Sequence, residues 1–168
     1  RVLAYGINPA RVKFWPQWAE NLFENKAASN YLDPHFPADG FIFLFAGNIG
    51  SAQDIPTLLN AMRLLRDKGL NDIKLVLLGD GLARAESEKM ARDIGLTNVF
   101  FLGNKPLETM PYYYEKSDVL VVSLVSTDIF SITIPSKVQS YMASSKPLLV
   151  SMDGEAADLI REIEAGLT

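Results

Sequence analysis

The sequence predicts a doubly wound parallel α/β sheet, and two features of the chain carry that prediction. From Phe41 onward, short apolar runs alternate with longer amphipathic ones, which is the pattern of repeated strand-helix-strand units. The apolar runs are continuous rather than alternating, as in parallel strands covered on both faces. With right-handed crossovers the five strands take the order 3-2-1-4-5, and a ligand is expected at the carboxyl ends of strands 1 and 4.

Five apolar runs are predicted to be the strands. They are Phe41–Ala46, Ile73–Leu78, Val99–Leu102, Val119–Leu124 and Leu148–Ser151. Gly47 ends the first strand, and Gly79-Asp80-Gly81 closes the second. Each break by glycine marks a point where the chain leaves the sheet.

Amphipathic segments predict the helices between these strands. The first begins after Asp54, a plausible N-cap, and stops before Gly69. The others are predicted at Leu82–Ile94, at Leu107–Lys116, from Pro135 onward, and at Glu155–Glu164. The stretch between the fourth strand and Pro135 is predicted to be a loop. Consecutive residues of a helix point in different directions, so one ring of Tyr112-Tyr113-Tyr114 is expected to pack inside and one to face solvent.

Residues 1–40 are predicted to be an interdomain connecting segment, because they contain four prolines and no sustained periodicity. Trp15 and Trp18 could contact an absent part of the protein or cover this domain, and the sequence leaves both open. Residues 41–168 are predicted to be one domain that is truncated at its C-terminus. The chain begins with Arg1 rather than Met, and we expect it to be a piece of a longer protein.

Composition and charge exclude several classes of function. The chain of 168 residues has 16 Lys and Arg against 20 Asp and Glu and no basic cluster, which argues against a nucleic-acid partner. It has no cysteine, and its single histidine, His35, cannot supply a metal cage. No apolar run approaches the length of about 18 residues that spans a bilayer. We therefore expect a cytoplasmic protein without a metal or other cofactor.

Two loops meet at the predicted ligand edge. The loop after the fourth strand carries Ile134-Pro135-Ser136-Lys137 onto a helix start, where N–H groups and the helix dipole attract anions. A lysine opposes that dipole, so Lys137 is either a phosphate ligand or a solvated surface lysine. The loop after the first strand has Gly47 and Gly50 for close backbone approach, and it also fits a plain tight turn. Lys105 lies either on the same rim or in water.

The ordered motifs resemble the carboxyl-terminal, nucleotide-binding half of the family 4 (group 1) glycosyltransferases. These enzymes consist of two Rossmann-like domains, the GT-B architecture. The resemblance covers the chain from Phe41 onward and is closest to the bacterial branch that builds surface polysaccharides. It rests on Phe45-Ala-Gly-Asn-Ile-Gly50 with Gln53, Leu78-Gly-Asp-Gly81, Asn98-Val-Phe-Phe-Leu-Gly103, Met110-Pro111, Ser117-Asp118-Val119, Pro135-Ser-Lys137, Tyr141-Met-Ala143 and Lys146-Pro147.

This resemblance implies a sugar transfer from a nucleoside diphosphate sugar, UDP preferred, to an acceptor hydroxyl. The transfer retains the anomeric configuration and needs no metal. This half would hold the donor, and an absent N-terminal half would hold the acceptor, so the piece alone is expected to be inactive. A lipid-linked saccharide acceptor would place the whole enzyme at the inner face of the bacterial membrane.

The resemblance also implies roles for particular residues. Backbone N–H groups of Gly47, Asn48 and Gly50 would approach the diphosphate, and Ser136 and Lys137 would neutralise its charge. Lys137 would thereby stabilise the leaving group. The remaining predicted donor-site residues are Gln53, Gly81, Lys105 and Ser140, and the stretch 103–106 would flank the base.

Several positions depart from the family pattern. Asn48 and Gln53 stand where an Arg and a Lys commonly follow the first strand, and Ser145 stands where a Gly usually precedes Lys-Pro. Many members carry two glutamates where this chain has Ile132 and Ser140, and the second one binds the ribose. Gln139 could compensate.

Ser140 and Ser145 leave open a non-catalytic nucleotide-binding or interaction module derived from a transferase. The other alternative is a nucleotide-sugar epimerase of the same architecture, whose catalysis would need more acids and a His near the sugar than this chain shows.

Overall fold

The structure is a computed structural model that describes residues 2–13, 18–19, 22 and 31–168. Two short 3-10 turns, Val2–Tyr5 and Pro9–Arg11, lie near the start of the chain. Trp15 lies outside the described residues, and Trp18 is 68% exposed, so its ring does not cover the domain. The assignment of residues 1–40 to an interdomain segment stays a prediction.

Six parallel strands form one sheet in the order β3-β2-β1-β4-β5-β6. They are β1 (Phe41–Ala46), β2 (Ile73–Leu78), β3 (Val99–Gly103), β4 (Val119–Ser123), β5 (Leu148–Ser151) and β6 (Gly166–Leu167). The first five strands and their order confirm the predicted doubly wound sheet. The sixth strand was not predicted because it has only two residues, and Gly166 pairs with Leu148 at the sheet edge.

The helices lie on both faces of the sheet. They are α1 (Ile55–Asp67), α2 (Arg84–Asp93), α3 (Met110–Lys116), α4 (Asp128–Ser131), α5 (Ser136–Ala143) and α6 (Glu155–Glu162). Short 3-10 turns precede α1 at Ser51–Gln53 and α3 at Leu107–Thr109. In the part of the chain that the structure describes, no helix combines the length and the apolar character that crossing a membrane requires.

Three local predictions about the helices are wrong. Asp54 stands at the N-cap position of α1 with a left-handed backbone (φ 48°), and its side chain accepts no capping hydrogen bond. An N-cap side chain reaches the helix amides from an extended backbone, which Asp54 lacks. The predicted loop before Pro135 contains α4, whose first turn is closed by the Phe130 N–H donating to Thr127 Oγ1 at 3.3 Å. The helix predicted to begin at Pro135 begins at Ser136 instead.

Two apolar cores hold the helices against the sheet. Phe45, Leu59 and Leu77 belong to the core under α1 and α2. The opposite core contains Leu44, Val122 and Ile160 beneath α3, α5 and α6.

All three tyrosines of Tyr112-Tyr113-Tyr114 are buried in this second core, so the expected solvent-facing ring is absent. Phe36 packs against the rings of Tyr112 and Tyr113, with centroids 6.0 and 5.7 Å away, while Tyr114 packs against Tyr141 at 5.3 Å. The segment before β1 therefore covers a helix face that was expected to meet solvent.

Candidate functional site

The carboxyl ends of β1, β2 and β3 enclose an open cleft of about 450 Å³. Residues that follow each of these strands form its floor, and α3 forms a wall. The lining consists of Ala46–Asn48, Leu78–Asp80, Asn104, Lys105, Met110 and Tyr114. The cleft lies beyond the carboxyl ends of parallel strands, where such sheets bind ligands. Among the described residues its lining contains none that follows β4, so it is displaced toward β3 from the predicted position between strands 1 and 4.

Glycines allow the loops after β1 and β2 to touch backbone to backbone. Gly79 has φ 127°, and a Cβ there would lie 1.8 Å from the Gly47 carbonyl oxygen. A Cβ on Gly81 would lie 2.4 Å from the Ile49 carbonyl oxygen. The Ile49 N–H donates to the Asp80 carbonyl at 2.8 Å. These positions require glycine for the packing of the loops that form the cleft floor.

The amide groups predicted to meet a diphosphate are partly used within the fold. The Gly47 N–H donates to the Leu78 carbonyl at 2.9 Å and extends the sheet by one residue. Gln53 Oε1 accepts from the Gly50 N–H at 3.0 Å and from Asn48 Nδ2 at 3.2 Å. Gly50 and Gln53 therefore fix the shape of this loop from outside the cleft, while Gly47 and Asn48 line it.

Lys137 is the second residue of α5, and its side chain reaches toward the end of β1. Its Nζ lies 3.9 Å from the centroid of the buried Phe45 ring, and a Cβ on Gly47 would lie 3.2 Å from the same nitrogen. Burial lowers the pKa of Lys137 to about 8. None of the ion pairs within the described ranges includes this ammonium. Lys137 is therefore a half-buried cation next to the cleft residue Gly47, and it has no carboxylate partner among the described residues.

Tyr141 fixes α5 over the end of β1. Its hydroxyl accepts from the Ala46 N–H at 2.8 Å and donates to the Ala46 carbonyl at 3.2 Å. The side chain is fully buried. Because Tyr141 lies one helical turn after Lys137, this double contact sets the position from which the lysine reaches Gly47.

The other predicted residues of α5 lie along its first two turns. Ser136 is exposed at the helix start, and Ser140 is half-buried one turn later. The Gln139 side-chain amide faces two backbone carbonyls. With its nitrogen on that side, it donates to the carbonyls of Ser136 at 2.9 Å and Pro135 at 3.1 Å. Gln139 thus bonds to the start of its own helix, and its role as a substitute for the missing glutamate stays a prediction.

Lys105 is not the solvated loop lysine that the sequence allowed. Its side chain is 16% exposed, and its Nζ donates to Asp33 Oδ2 at 2.5 Å. Asp33 is 6% exposed and also accepts from the Tyr113 hydroxyl at 2.7 Å and from the His35 N–H at 2.9 Å. Burial raises the pKa of the Asp33 carboxyl, but these hydrogen bonds outweigh it and hold the pKa at about 2.

A model of the family described as glycosyl transferases group 1 matches residues 33–168. The chain belongs to this family. The match begins at Asp33, the buried carboxylate that bonds to the cleft lysine. Family membership agrees with the resemblance drawn from the ordered motifs.

One relative of this group 1 glycosyltransferase chain is named for the biosynthesis of colanic acid. WcaI of Escherichia coli (strain K12), a putative colanic acid biosynthesis glycosyl transferase, is 28% identical over 150 residues, which are 85% of this chain. The alignment covers 35% of WcaI, so the chain spans about a third of that relative.

Solved structures confirm the GT-B Rossmann-like fold. WaaG, a glycosyltransferase involved in lipopolysaccharide biosynthesis, matches 96% of the chain and 43% of its own length, with a TM-score of 0.73 and 14% identity. Anabaena Alr3699/HepE, solved in complex with UDP and glucose, matches 73% of the chain and 32% of its own length, with a TM-score of 0.55 and 19% identity. At these identities the likeness shows the fold alone.

The hydrogen bonds of Asp33 with Lys105, Tyr113 and the His35 N–H, here called the Asp33 network, were not predicted, because Lys105 and Tyr113 are remote from Asp33 in sequence. Asp33 and Lys105 are 72 positions apart, and neither stands in a motif that pairs them. The one available signal was an acidic residue between the aromatic residues Tyr31 and Phe36, inside a segment otherwise predicted to connect domains. Such a signal identifies a partner only after the fold is known.

Acid stability tests the Asp33 network. Its pKa of about 2 in the folded chain lies below the unfolded value, so its stabilisation is present above about pH 4 and is lost as the pH falls toward 2. We expect Asp33→Asn to lower the free energy of unfolding by about 2 kcal/mol at pH 7. Urea titrations at pH 7, 4 and 2.5 measure this. The difference between the two proteins should shrink at the lowest pH, and a constant difference would contradict the assignment.

Proposed function

We propose that the chain is the donor-binding half of a retaining, metal-independent glycosyltransferase. The donor is a nucleoside diphosphate sugar, with UDP as the nucleotide, and the acceptor is a hydroxyl in bacterial polysaccharide or glycolipid synthesis. The observation that carries the proposal is the half-buried Lys137, whose ammonium lies beside Gly47 with no carboxylate partner among the described residues. Family membership and the polysaccharide relative support the reaction class. The UDP complex of HepE supports the choice of nucleotide.

We place the diphosphate between the loop after β1 and the start of α5. A partly desolvated cation such as Lys137 is unfavourable unless an anion neutralises it, and the first turn of α5 adds amide dipoles of the same sign. When the sugar leaves, negative charge grows on the diphosphate, and Lys137 is positioned to stabilise it. Ser136 stands at the same helix end, and Gly47 leaves the space that a side chain would fill.

The rest of the donor lies along the cleft toward β3. Ser140 follows on α5 as the candidate ribose contact, and Asn104 and Lys105 line the end where we place the base. A serine binds ribose hydroxyls through a neutral hydrogen bond, which is weaker than one from a carboxylate. We therefore expect modest affinity for the isolated nucleotide.

The absent half completes the proposed enzyme. It supplies the acceptor contacts, so the present chain alone is expected not to turn over. With a lipid-linked saccharide as acceptor, the whole enzyme works at the cytoplasmic face of the bacterial inner membrane.

Ser140 favours a second candidate, a non-catalytic nucleotide-binding or interaction module derived from a transferase. In that case the chain binds nucleotide weakly or not at all, and the protein containing it transfers no sugar. An epimerase of the same architecture is the third candidate, and it would convert the donor sugar without an acceptor. Product analysis of the longer protein with UDP-sugars, with and without acceptor, separates the three.

Calorimetric titration of the chain with UDP, GDP and ADP tests donor binding directly. We expect a Kd of roughly 0.1 to 1 mM for UDP, or about −4 to −5.5 kcal/mol, and weaker binding of the other two. The same titration in EDTA and in Mg²⁺ should give equal UDP affinity. A requirement for Mg²⁺ would overturn metal independence, and tighter GDP or ADP binding would overturn the choice of nucleotide.

The pH dependence of UDP binding tests the charge on Lys137. Because its pKa in the free chain is about 8, the charged form that attracts the diphosphate dominates at pH 7 and is lost as the pH rises. We expect UDP affinity to fall by up to about tenfold between pH 7 and pH 9. Lys137→Arg keeps its charge over this range, so its affinity should stay level. Parallel declines in both proteins would show that another group titrates.

A further inference from the structure

Asp33 forms a buried ion pair with a residue of the donor cleft. Its side chain is 3% exposed, and Lys105 Nζ lies 2.5 Å from Oδ2. The same oxygen accepts from the Tyr113 hydroxyl at 2.7 Å, and Tyr113 is fully buried. Lys105 also lies over the Tyr113 ring, 5.8 Å from its centroid. The Asp33 carboxylate and the buried Tyr113 ring thus both contact Lys105 and fix the position of its ammonium.

A buried ion pair is weak evidence for a purely stabilising role, because desolvation of the two charges offsets most of their attraction. Its position suggests another role, since Lys105 lines the cleft together with Asn104 and Asp80. An ammonium has three N–H donors, and Asp33 occupies one of them. Asp33 also compensates the charge of Lys105, whereas Lys137 has no such partner among the described ion pairs.

We propose that Asp33 is a positioning residue for the nucleotide base. It holds Lys105 at the cleft rim so that a remaining N–H meets an uncharged carbonyl oxygen of the base, while Lys137 takes the diphosphate. The two lysines thereby bind different parts of the donor. Lys105, whose charge Asp33 compensates, contacts the base, and Lys137, which has no ion pair among the described residues, contacts the diphosphate. This inference rests on the proposed donor-binding function.

The test uses two probes, UDP and inorganic pyrophosphate, with the 168-residue chain. Asp33→Asn and Lys105→Gln should each weaken UDP binding by about five- to tenfold, the effect of one misplaced hydrogen bond. Neither should weaken pyrophosphate binding. The double variant should bind UDP within about twofold of either single variant, because both changes remove one shared interaction.

Asp39→Asn is the matched control, because it makes the same change in an acid-lysine pair away from the cleft. Asp39 pairs with Lys74, and neither residue lines the cleft. The UDP affinity of this variant should stay within about twofold of the parent value. A UDP loss in Asp39→Asn as large as in Asp33→Asn would show that UDP affinity follows net charge and not the position of Lys105, and would overturn the proposal.

Other outcomes also decide the question. Equal loss of UDP and pyrophosphate in Asp33→Asn, additive losses in the double variant, or unchanged UDP affinity in Lys105→Gln would each overturn the role of Asp33. If Asp33→Asn does not fold, a UDP-specific loss in Lys105→Gln supports the base contact, and an equal loss of both probes contradicts it. Failure of the donor-binding function looks different, because Lys137→Ala would then leave pyrophosphate binding unchanged.

Discussion

Replacing Gly79 with alanine should lower the free energy of unfolding by about 4 kcal/mol or prevent folding. The backbone of Gly79 has φ 127°, and an added Cβ would lie 1.8 Å from the carbonyl oxygen of Gly47. The obstacle is backbone that is itself hydrogen bonded to β2, since the Gly47 N–H donates to Leu78. Neither loop can move without breaking the sheet end that forms the cleft.

Gly69→Ala is the matched control for this prediction. Gly69 also has a positive φ of 80°, but a Cβ added there would meet no atom within 4 Å outside the neighbouring residues. Only the conformational penalty of about 1 kcal/mol should then appear. Urea unfolding monitored by circular dichroism gives both values. Equal losses in the two variants would contradict the backbone contact between the loops after β1 and β2.

Replacing Lys137 with alanine should weaken UDP binding by about 1 to 3 kcal/mol, the range for losing a charge-assisted contact. The free energy of unfolding should not fall in proportion. Partial burial disfavours the charged form of Lys137 in the folded chain and lowers its pKa to about 8, so removing the side chain also removes a desolvation cost. Titration calorimetry and urea unfolding of the same samples separate the two effects.

Lys89→Ala is the control for charge alone. Lys89 is an exposed residue of α2 that pairs with Asp93 at 2.7 Å, and it does not line the cleft. Its loss should leave UDP affinity within about twofold, because surface charges contribute little to a distant site. Equal weakening in the two variants would mean that UDP responds to net charge and not to Lys137.

The sheet could be predicted from the sequence because its strands are marked locally. Continuous apolar runs give the first five strands, three of which end at a glycine (Gly47, Gly79 and Gly103), and the handedness of the crossovers gives their order. Helix α4 escaped prediction because it is one turn long and depends on a single cap from Thr127. Strand β6 escaped because two residues carry no periodicity, and only pairing with β5 makes them a strand.

The candidate site could be predicted only in outline. The motif around Lys137 placed a lysine at a helix start, but its burial over Phe45 depends on packing between elements far apart in the chain. Lys105 could be placed near the cleft, whereas its partner Asp33 belongs to a segment that showed no regular pattern. Side-chain partners across such distances follow from the fold, and a single sequence does not contain them.

Amide-shift NMR of the chain during a UDP titration tests the central claim, that a nucleoside diphosphate binds between the β1 loop and the start of α5. We predict saturable shifts concentrated at Gly47–Gln53 and Ser136–Ser140 and their loss in Lys137→Ala. Shifts confined to another surface, such as the groove between α1 and α2, would contradict the claim. So would the absence of any shift at millimolar UDP.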